Sequence, residues 1–188
     1  LRLPGHGAER VEIGPDGVEL LLGLDLQGLT LGLVGMGRIG QAVAKRALAF
    51  GMRVVYHART PKPLPYPFLS LEELLKEADV VSLHTPLTPE THRLLNRERL
   101  FAMKRGAILI NTARGEIVDQ AALLEAARDK GLRIGLDVFV NEPATATGEF
   151  HDDLLGLPNV YGTHHIGAST DQAQEAIAEE AKRCGMPF

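Results

Sequence analysis

Cysteine is almost missing from this chain: Cys184 is the single one among 188 residues. That excludes an internal disulfide and a cysteine metal cluster, and it points to a reducing compartment. No sign of charge dominates, with 20 Lys and Arg against 24 Asp and Glu and a formal net charge of −4. The basic residues are scattered along the chain, so the sequence indicates neither a nucleic-acid partner nor a membrane-surface partner. No apolar run approaches the length of a membrane span and no signal-peptide pattern opens the chain, so a cytoplasmic domain is expected. A G-x-S-x-G nucleophile elbow is also missing, which argues against a Ser/His/Asp hydrolase. What is present is 45% hydrophobic residue content with 20 Gly and 11 Pro. That suffices for one well-buried domain with short extensions, but not comfortably for two.

The most informative stretch is Thr30 to Gly40, Thr-Leu-Gly-Leu-Val-Gly-Met-Gly-Arg-Ile-Gly. A short apolar run meets glycines spaced G-x-G-x-x-G at Gly35, Gly37 and Gly40, and a helical pattern follows at once. Strand, glycine turn and helix in that order form the context in which the motif binds a dinucleotide. Gly35 permits the tight turn, Gly37 lets backbone approach a pyrophosphate, and Gly40 lets the helix sit close to the strand. The free N–H groups of the helix N-terminus then face the phosphates.

From there apolar strands alternate with helical patterns. The expected strands are 31–34, 53–57, 80–84, 107–111, 134–139 and 159–163. The expected helices are 38–50, 71–78, 97–103, 120–130 and 170–183. Ser70 with Glu73 and Ser169 with Gln172 read as capping boxes, Asp119 reads as an N-cap, and Gly131 reads as a helix stop. The alternation predicts an α/β fold: a single Rossmann-type, doubly wound parallel sheet covered by helices on both faces, over 30–184. Gly and Pro predict an irregular segment through Gly17, within an N-terminal stretch of 1–29, and 185–188 reads as a tail. Within that stretch the apolar run 18–26 reads as an edge-packing or contact surface.

Ligands of such sheets lie at the carboxyl ends of the strands. After the second strand the chain reads His57-Ala58-Arg59-Thr60, with no Asp or Glu before Glu72. An acid there would repel a 2′-phosphate, whereas Arg59 can take one in a forked pair, which favours NADP(H) over NAD(H). Pro61, Pro63, Pro65 and Pro67 make a stiff connector. The third strand leads into Thr85 and Pro86, where the Thr85 hydroxyl can meet a cofactor. The fourth leads to Arg114 and Gly115, an arginine placed to hold a carboxylate. Asp137 lies inside an apolar run, where an unpaired charge is costly, so a partner is expected: a nicotinamide carboxamide or a nearby backbone group. The sixth strand ends in His164-His165. A carbonyl that accepts hydride needs a proton donor, and histidine suits that task near neutrality, more so beside a carboxylate such as Glu142. Zinc at the histidine pair is not expected, because adjacent residues point to opposite faces and further ligands are missing.

Residues 29–180 resemble the cofactor domain of the D-isomer-specific 2-hydroxyacid dehydrogenases. The matching segments are Gly35-Met-Gly-Arg-Ile-Gly40, His84-Thr-Pro-Leu87, Asn111-Thr-Ala-Arg-Gly115, Leu136-Asp-Val-Phe139 with Glu142-Pro143, and His165-Ile-Gly-Ala-Ser-Thr170. The resemblance implies a catalytic set of Arg114, Glu142 and His165 acting on a small 2-oxo or 2-hydroxy acid. It also implies cofactor contacts at Arg38, Ile39, Thr85, Pro86, Thr112, Ala113, Asp137 and the segment His165 to Gly167 and Ala168, together with a homodimer. The family usually has proline where this chain has His164, which leaves His164 a structural place. Segments through Arg114 are more similar to glyoxylate and hydroxypyruvate reductases, and those from Leu136 to Thr170 to phosphoglycerate dehydrogenases. The resemblance implies a second domain built from both chain ends, and most of it is expected to be missing from this sequence. Two expectations follow: an oxidoreductase domain that transfers hydride, or an isolated or engineered cofactor-binding, dimerising module with little turnover.

Overall fold

The computed structural model describes residues 10–13, 18–21, 24–140, 142 and 152–183. An N-terminal pair of strands, β1 (Arg10–Ile13) and β2 (Val18–Leu21), precedes β3 (Thr30–Val34), α1 (Arg38–Ala49), β4 (Arg53–His57) and α2 (Leu71–Glu77). Then come β5 (Val80–Leu83), α3 (Arg97–Ala102), β6 (Ile108–Asn111), α4 (Gln120–Asp129), β7 (Arg133–Leu136), β8 (Val160–Gly162) and α5 (Asp171–Arg183). Strands β3 to β8 form one parallel sheet in the order β4-β3-β5-β6-β7-β8. Counted within the sheet this is 2-1-3-4-5-6, a Rossmann-type arrangement whose direction of progression reverses between β3 and β5. At that reversal the connections diverge and open a crevice beyond the carboxyl ends of the strands.

Burial explains why β3 is central. All five of its residues are buried, as an interior parallel strand covered on both faces requires. Leu31 and Leu33 join Val54, Tyr56 and Val80 under Ala44 and Ala47 of α1. Val34, Val55, Val81, Leu83 and Leu109 face the other way, against Leu74 and Leu75 of α2, Leu100 of α3 and Leu123 of α4. A β-carbon at Gly32 would lie 2.6 Å from Leu74 Cδ2, so the missing side chain is what lets α2 rest on β3. The start of β3 is tied to β5: the Asp79 carboxylate accepts from Thr30 N at 2.9 Å and from Lys104 Nζ at 2.6 Å.

The helix signals act largely as written. Ser70 and Glu73 form a reciprocal capping box, Asp119 accepts from Ala122 N at 3.1 Å, and Gly131 follows α4 at φ +64°. The expected Ser169–Gln172 box is corrected: Thr170 Oγ1 accepts from Ala173 N at 3.2 Å, one residue later. The reason is that Ser169 N already donates to Ile166 O at 2.9 Å, which commits Ser169 to the preceding turn. The irregular reading through Gly17 is corrected as well, since β1 and β2 pair antiparallel, Arg10 with Leu21 through Ile13 with Val18. Gly and Pro beside two short runs therefore do not exclude strands within those runs. The strand expected through Phe139 stops at Leu136, where the chain turns toward Glu142. Helical cover on both faces is met over β3, but β6 and β7 leave Ile108, Ile110, Arg133 and Gly135 half-buried. Cys184 and Pro143 lie outside the described residues, and among those described no helix is long and apolar enough to cross a membrane.

Candidate functional site

Two clusters of sequence-predicted residues gather at the carboxyl edge of the sheet. The first is the glycine loop between β3 and α1. Gly35 takes φ +101°, and a β-carbon there would lie 2.6 Å from the His84 carbonyl carbon and 2.9 Å from Thr85 N. Backbone of the β5 exit therefore passes directly over Gly35, and only glycine leaves room for it. A β-carbon at Gly40 would strike the Gly35 carbonyl oxygen, so α1 begins hard against the turn. Gly37 differs: a β-carbon there would meet nothing within 4 Å, and as N-cap of α1 it supplies no side-chain cap. The turn thus opens a space in front of uncapped helix N–H groups, with Arg38 and Ile39 pointing into solvent. This cradle fits an anionic phosphate group, which would be met by backbone donors and the positive end of the helix dipole.

Neighbouring loops complete this edge. Thr85 is half-buried and Pro86 exposed, and the Pro86 carbonyl accepts from Thr91 Oγ1 at 2.6 Å, which folds the exit of β5 into a tight turn. Arg59 and Thr60 are exposed after β4. A hydrogen bond from Thr88 holds the Glu90 carboxyl below its ordinary value, with the charge of Arg59 a smaller contributor. Burial pushes the His84 imidazole down, and its Nε2 lies 3.0 Å from Ser82 Oγ; β5 stops at Leu83, so His84, expected as a strand residue, directly follows the strand instead.

The second cluster holds the candidate acid and anchor. His165 Nδ1 lies 2.9 Å from Glu142 Oε2, and Glu142 Oε1 accepts from Phe139 N at 2.5 Å. A carboxylate can only accept, so Nδ1 carries the hydrogen and Nε2 is left as the atom that can hold or release a proton. Arg114 is exposed, on the loop after β6. That loop is shaped by Asn111, which is buried: its Nδ2 donates to Arg114 O at 2.8 Å and its Oδ1 accepts from Ala113 N at 3.1 Å. Gly115 then presses on the next loop, where an added β-carbon would lie 2.5 Å from Val140 N. The close approach brings the Arg114 loop against the segment that leads to Glu142. Thr112 is exposed and Ala113 half-buried on the same loop.

Asp137 finds the partner its apolar surroundings demanded, and that partner is internal. Its carboxylate accepts from Thr163 Oγ1 at 2.6 Å, Ile166 N at 2.9 Å and Gly167 N at 2.8 Å. Burial alone would raise this carboxyl, but those hydrogen bonds, helped by the neighbouring His165, hold it below the ordinary aspartate value. Gly167 and Ala168 are exposed on the turn so formed, and His164 is exposed beside them. No group of three or more potential metal ligands occurs among the described residues. Thr163 and Glu90 were not singled out from sequence, and Asn111 and Gly115 were read there only as parts of their motif. For Asn111 an Asx-turn signal at a strand end was available; for Glu90 nothing in the local sequence pointed to Arg59.

Comparison with known proteins adds the following. Residues 13–167 match a family model described as D-isomer specific 2-hydroxyacid dehydrogenase, NAD binding domain. A glyoxylate reductase of Thermococcus onnurineus is 48% identical over 175 residues, covering 90% of this chain and 51% of that protein. A hydroxypyruvate reductase of Thermotoga maritima is 48% identical over 163 residues, covering 85% of this chain and 53% of that protein. Among solved structures, the TT0316 protein of Thermus thermophilus is 72% identical with a TM-score of 0.80, covering 90% of this chain and 52% of that one. D-lactate dehydrogenase of Lactobacillus jensenii, solved with NAD+, is 35% identical with a TM-score of 0.79, covering 91% and 55%. The chain therefore spans about half the length of the relatives it matches.

Proposed function

From the premise that this chain belongs to the D-isomer-specific 2-hydroxyacid dehydrogenase family and forms its NAD-binding domain, we propose that it carries the cofactor and the catalytic residues for hydride transfer to a small 2-oxo acid. The observation that carries the reading is the His165–Glu142 pair on the same sheet edge as the glycine cradle. A nicotinamide cofactor supplies the hydride when bound. Gly35, Gly37 and Gly40 with the N-terminus of α1 would hold its phosphates beside Ile39 and Thr85, and Thr112 and the 165–168 turn, at later strand exits, would meet the rest of the cofactor. Arg114 binds the substrate carboxylate through a forked pair and polarises the adjacent carbonyl. His165 gives the proton on Nε2 to the carbonyl oxygen, and Glu142 fixes the ring through Nδ1.

Arg59 makes NADP(H) the favoured cofactor in this proposal. A second reading, a cofactor-binding and self-associating module without turnover, is favoured by the exposure of Arg114 and His165, since hydride transfer needs water excluded. One assay set separates the two. NADPH and NADH oxidation is followed with glyoxylate, hydroxypyruvate and phosphohydroxypyruvate, beside direct cofactor titration. Oxidation lost in His165→Ala while cofactor still binds is the outcome for the enzyme; binding without substrate-dependent oxidation in the parent chain is the outcome for the module. Both readings include a homodimer, and a monomeric mass by light scattering at micromolar concentration would remove it.

A further inference from the structure

His165 is one of two non-glycine residues at positive φ among those described, at +57°. A side chain in that region costs free energy and persists only where the surroundings over-determine it. Here the surroundings converge on Asp137. His165 N donates to the Asp137 carbonyl at 2.9 Å, Ile166 N to Oδ1 at 2.9 Å and Gly167 N to Oδ2 at 2.8 Å. The turn is wound so tightly on the carboxylate that a β-carbon at Gly167 would lie 2.7 Å from Oδ2.

Those three donors belong to the turn itself and move with it. The remaining one does not. Thr163 directly follows β8, whose pairing sets Leu136 opposite Gly162, and Thr163 N donates to Leu136 O at 2.8 Å. From that fixed place its hydroxyl reaches Asp137 Oδ1 at 2.6 Å. The carboxylate is buried, so water does not replace a lost donor readily. We propose that Thr163 is a positioning residue: its hydroxyl fixes the Asp137 carboxylate in the orientation that winds His165 into its left-handed conformation and so sets the His165–Glu142 contact. The functional half of this inference rests on the reading of His165 as proton donor; the conformational half does not.

The test uses the 15N-labelled full chain and follows imidazole nitrogen resonances, which report the contact without requiring turnover. The His165 signal is assigned by its loss in His165→Ala, and its dependence on Glu142 by its shift in Glu142→Gln. Thr163→Val removes the hydroxyl at nearly constant shape. It is expected to keep the amide pattern of the sheet while the His165 signal moves to its Glu142→Gln position, and Thr163→Ser is expected to restore it. Where the parent chain turns over, kcat falls at least tenfold in Thr163→Val with KM changed less than twofold. A folded Thr163→Val that keeps the parent His165 signal overturns the proposal, as does failure of Thr163→Ser to restore it. Should Thr163→Val not fold, Thr163→Ala is read in the same way; if neither folds, the hydroxyl is purely structural and the proposal falls. An oxidation rate unchanged in His165→Ala would instead overturn the proton-donor reading, and with it only the functional half.

Discussion

The three glycines of the β3–α1 turn allow fold and ligand roles to be separated by one methyl group each. At Gly35 an added β-carbon would sit 2.6 Å from the His84 carbonyl carbon, in a backbone at φ +101°. Carbon atoms prefer about 3.5–4.0 Å, so the β5 exit must retreat by about 1 Å. Overpacking of that kind costs roughly 1–3 kcal/mol, and forcing an L-residue to positive φ adds roughly 1–2 kcal/mol. For a chain of this size each kcal/mol moves Tm by about 2–4 °C, so Gly35→Ala is expected to melt roughly 4–20 °C lower. At Gly40 the same clash type is partly offset by the better helix propensity of alanine, roughly 1 kcal/mol, and the loss should be smaller. Gly37 has open space and an ordinary backbone, so Gly37→Ala gives up only about 0.5–1 kcal/mol of N-cap preference, a few degrees at most. Its methyl nevertheless projects into the cradle assigned to phosphate. Cofactor affinity should fall at least tenfold, about 1.4 kcal/mol, in the variant that melts most like the parent. Melting curves and fluorescence titration with NADPH and NADH give both numbers. Parent-like affinity in Gly37→Ala, or a melting loss as large as that of Gly35→Ala, would refute the assignment.

Two further outcomes follow from the charges at the sheet edge. Arg59→Asp should reverse or erase tighter binding of NADPH over NADH; equal affinities in the parent chain would sink this expectation. Asp137 has a folded carboxyl below its ordinary value, so its contribution to stability is complete above about pH 4 and lost as pH falls through the folded value. Asp137→Asn should therefore flatten the fall of Tm on the acid side of pH 4, with little change of slope from pH 5 to 8; an unchanged acid limb would show that the hydrogen bonds to this carboxylate do not stabilise the fold.

Much of the sheet and the glycine turn was legible because local chemistry dictates them. Buried parallel strands read as unbroken apolar runs, and Thr30–Val34 is one. Ser70, Asp119 and Gly131 act within a few residues of themselves, so their effect is readable at short range. The errors have the same root. Ser169 looked like a cap because the turn that claims its N–H closes through Ile166 only when Asp137 holds that turn. β1 and β2 were hidden because antiparallel pairing satisfies two segments jointly, and neither short run announces a strand alone.

The sequence by itself determined the alternation of strands and helices, the phosphate-type turn with its three glycines, and the identity of the candidate chemical groups. Periodicity, capping and backbone permissiveness are properties of neighbouring residues, and so they are written in order along the chain. Only the tertiary structure decided which groups meet. His165 reaches Glu142 from 23 residues away because Asp137 bends the turn that carries His165 and Phe139 N orients the glutamate. Glu90 enters the field of Arg59 because β3 sets the exits of β4 and β5 on either side of itself. Such pairings depend on strand order and register, and a parallel sheet fixes both through hydrogen bonds between segments that sequence proximity does not relate.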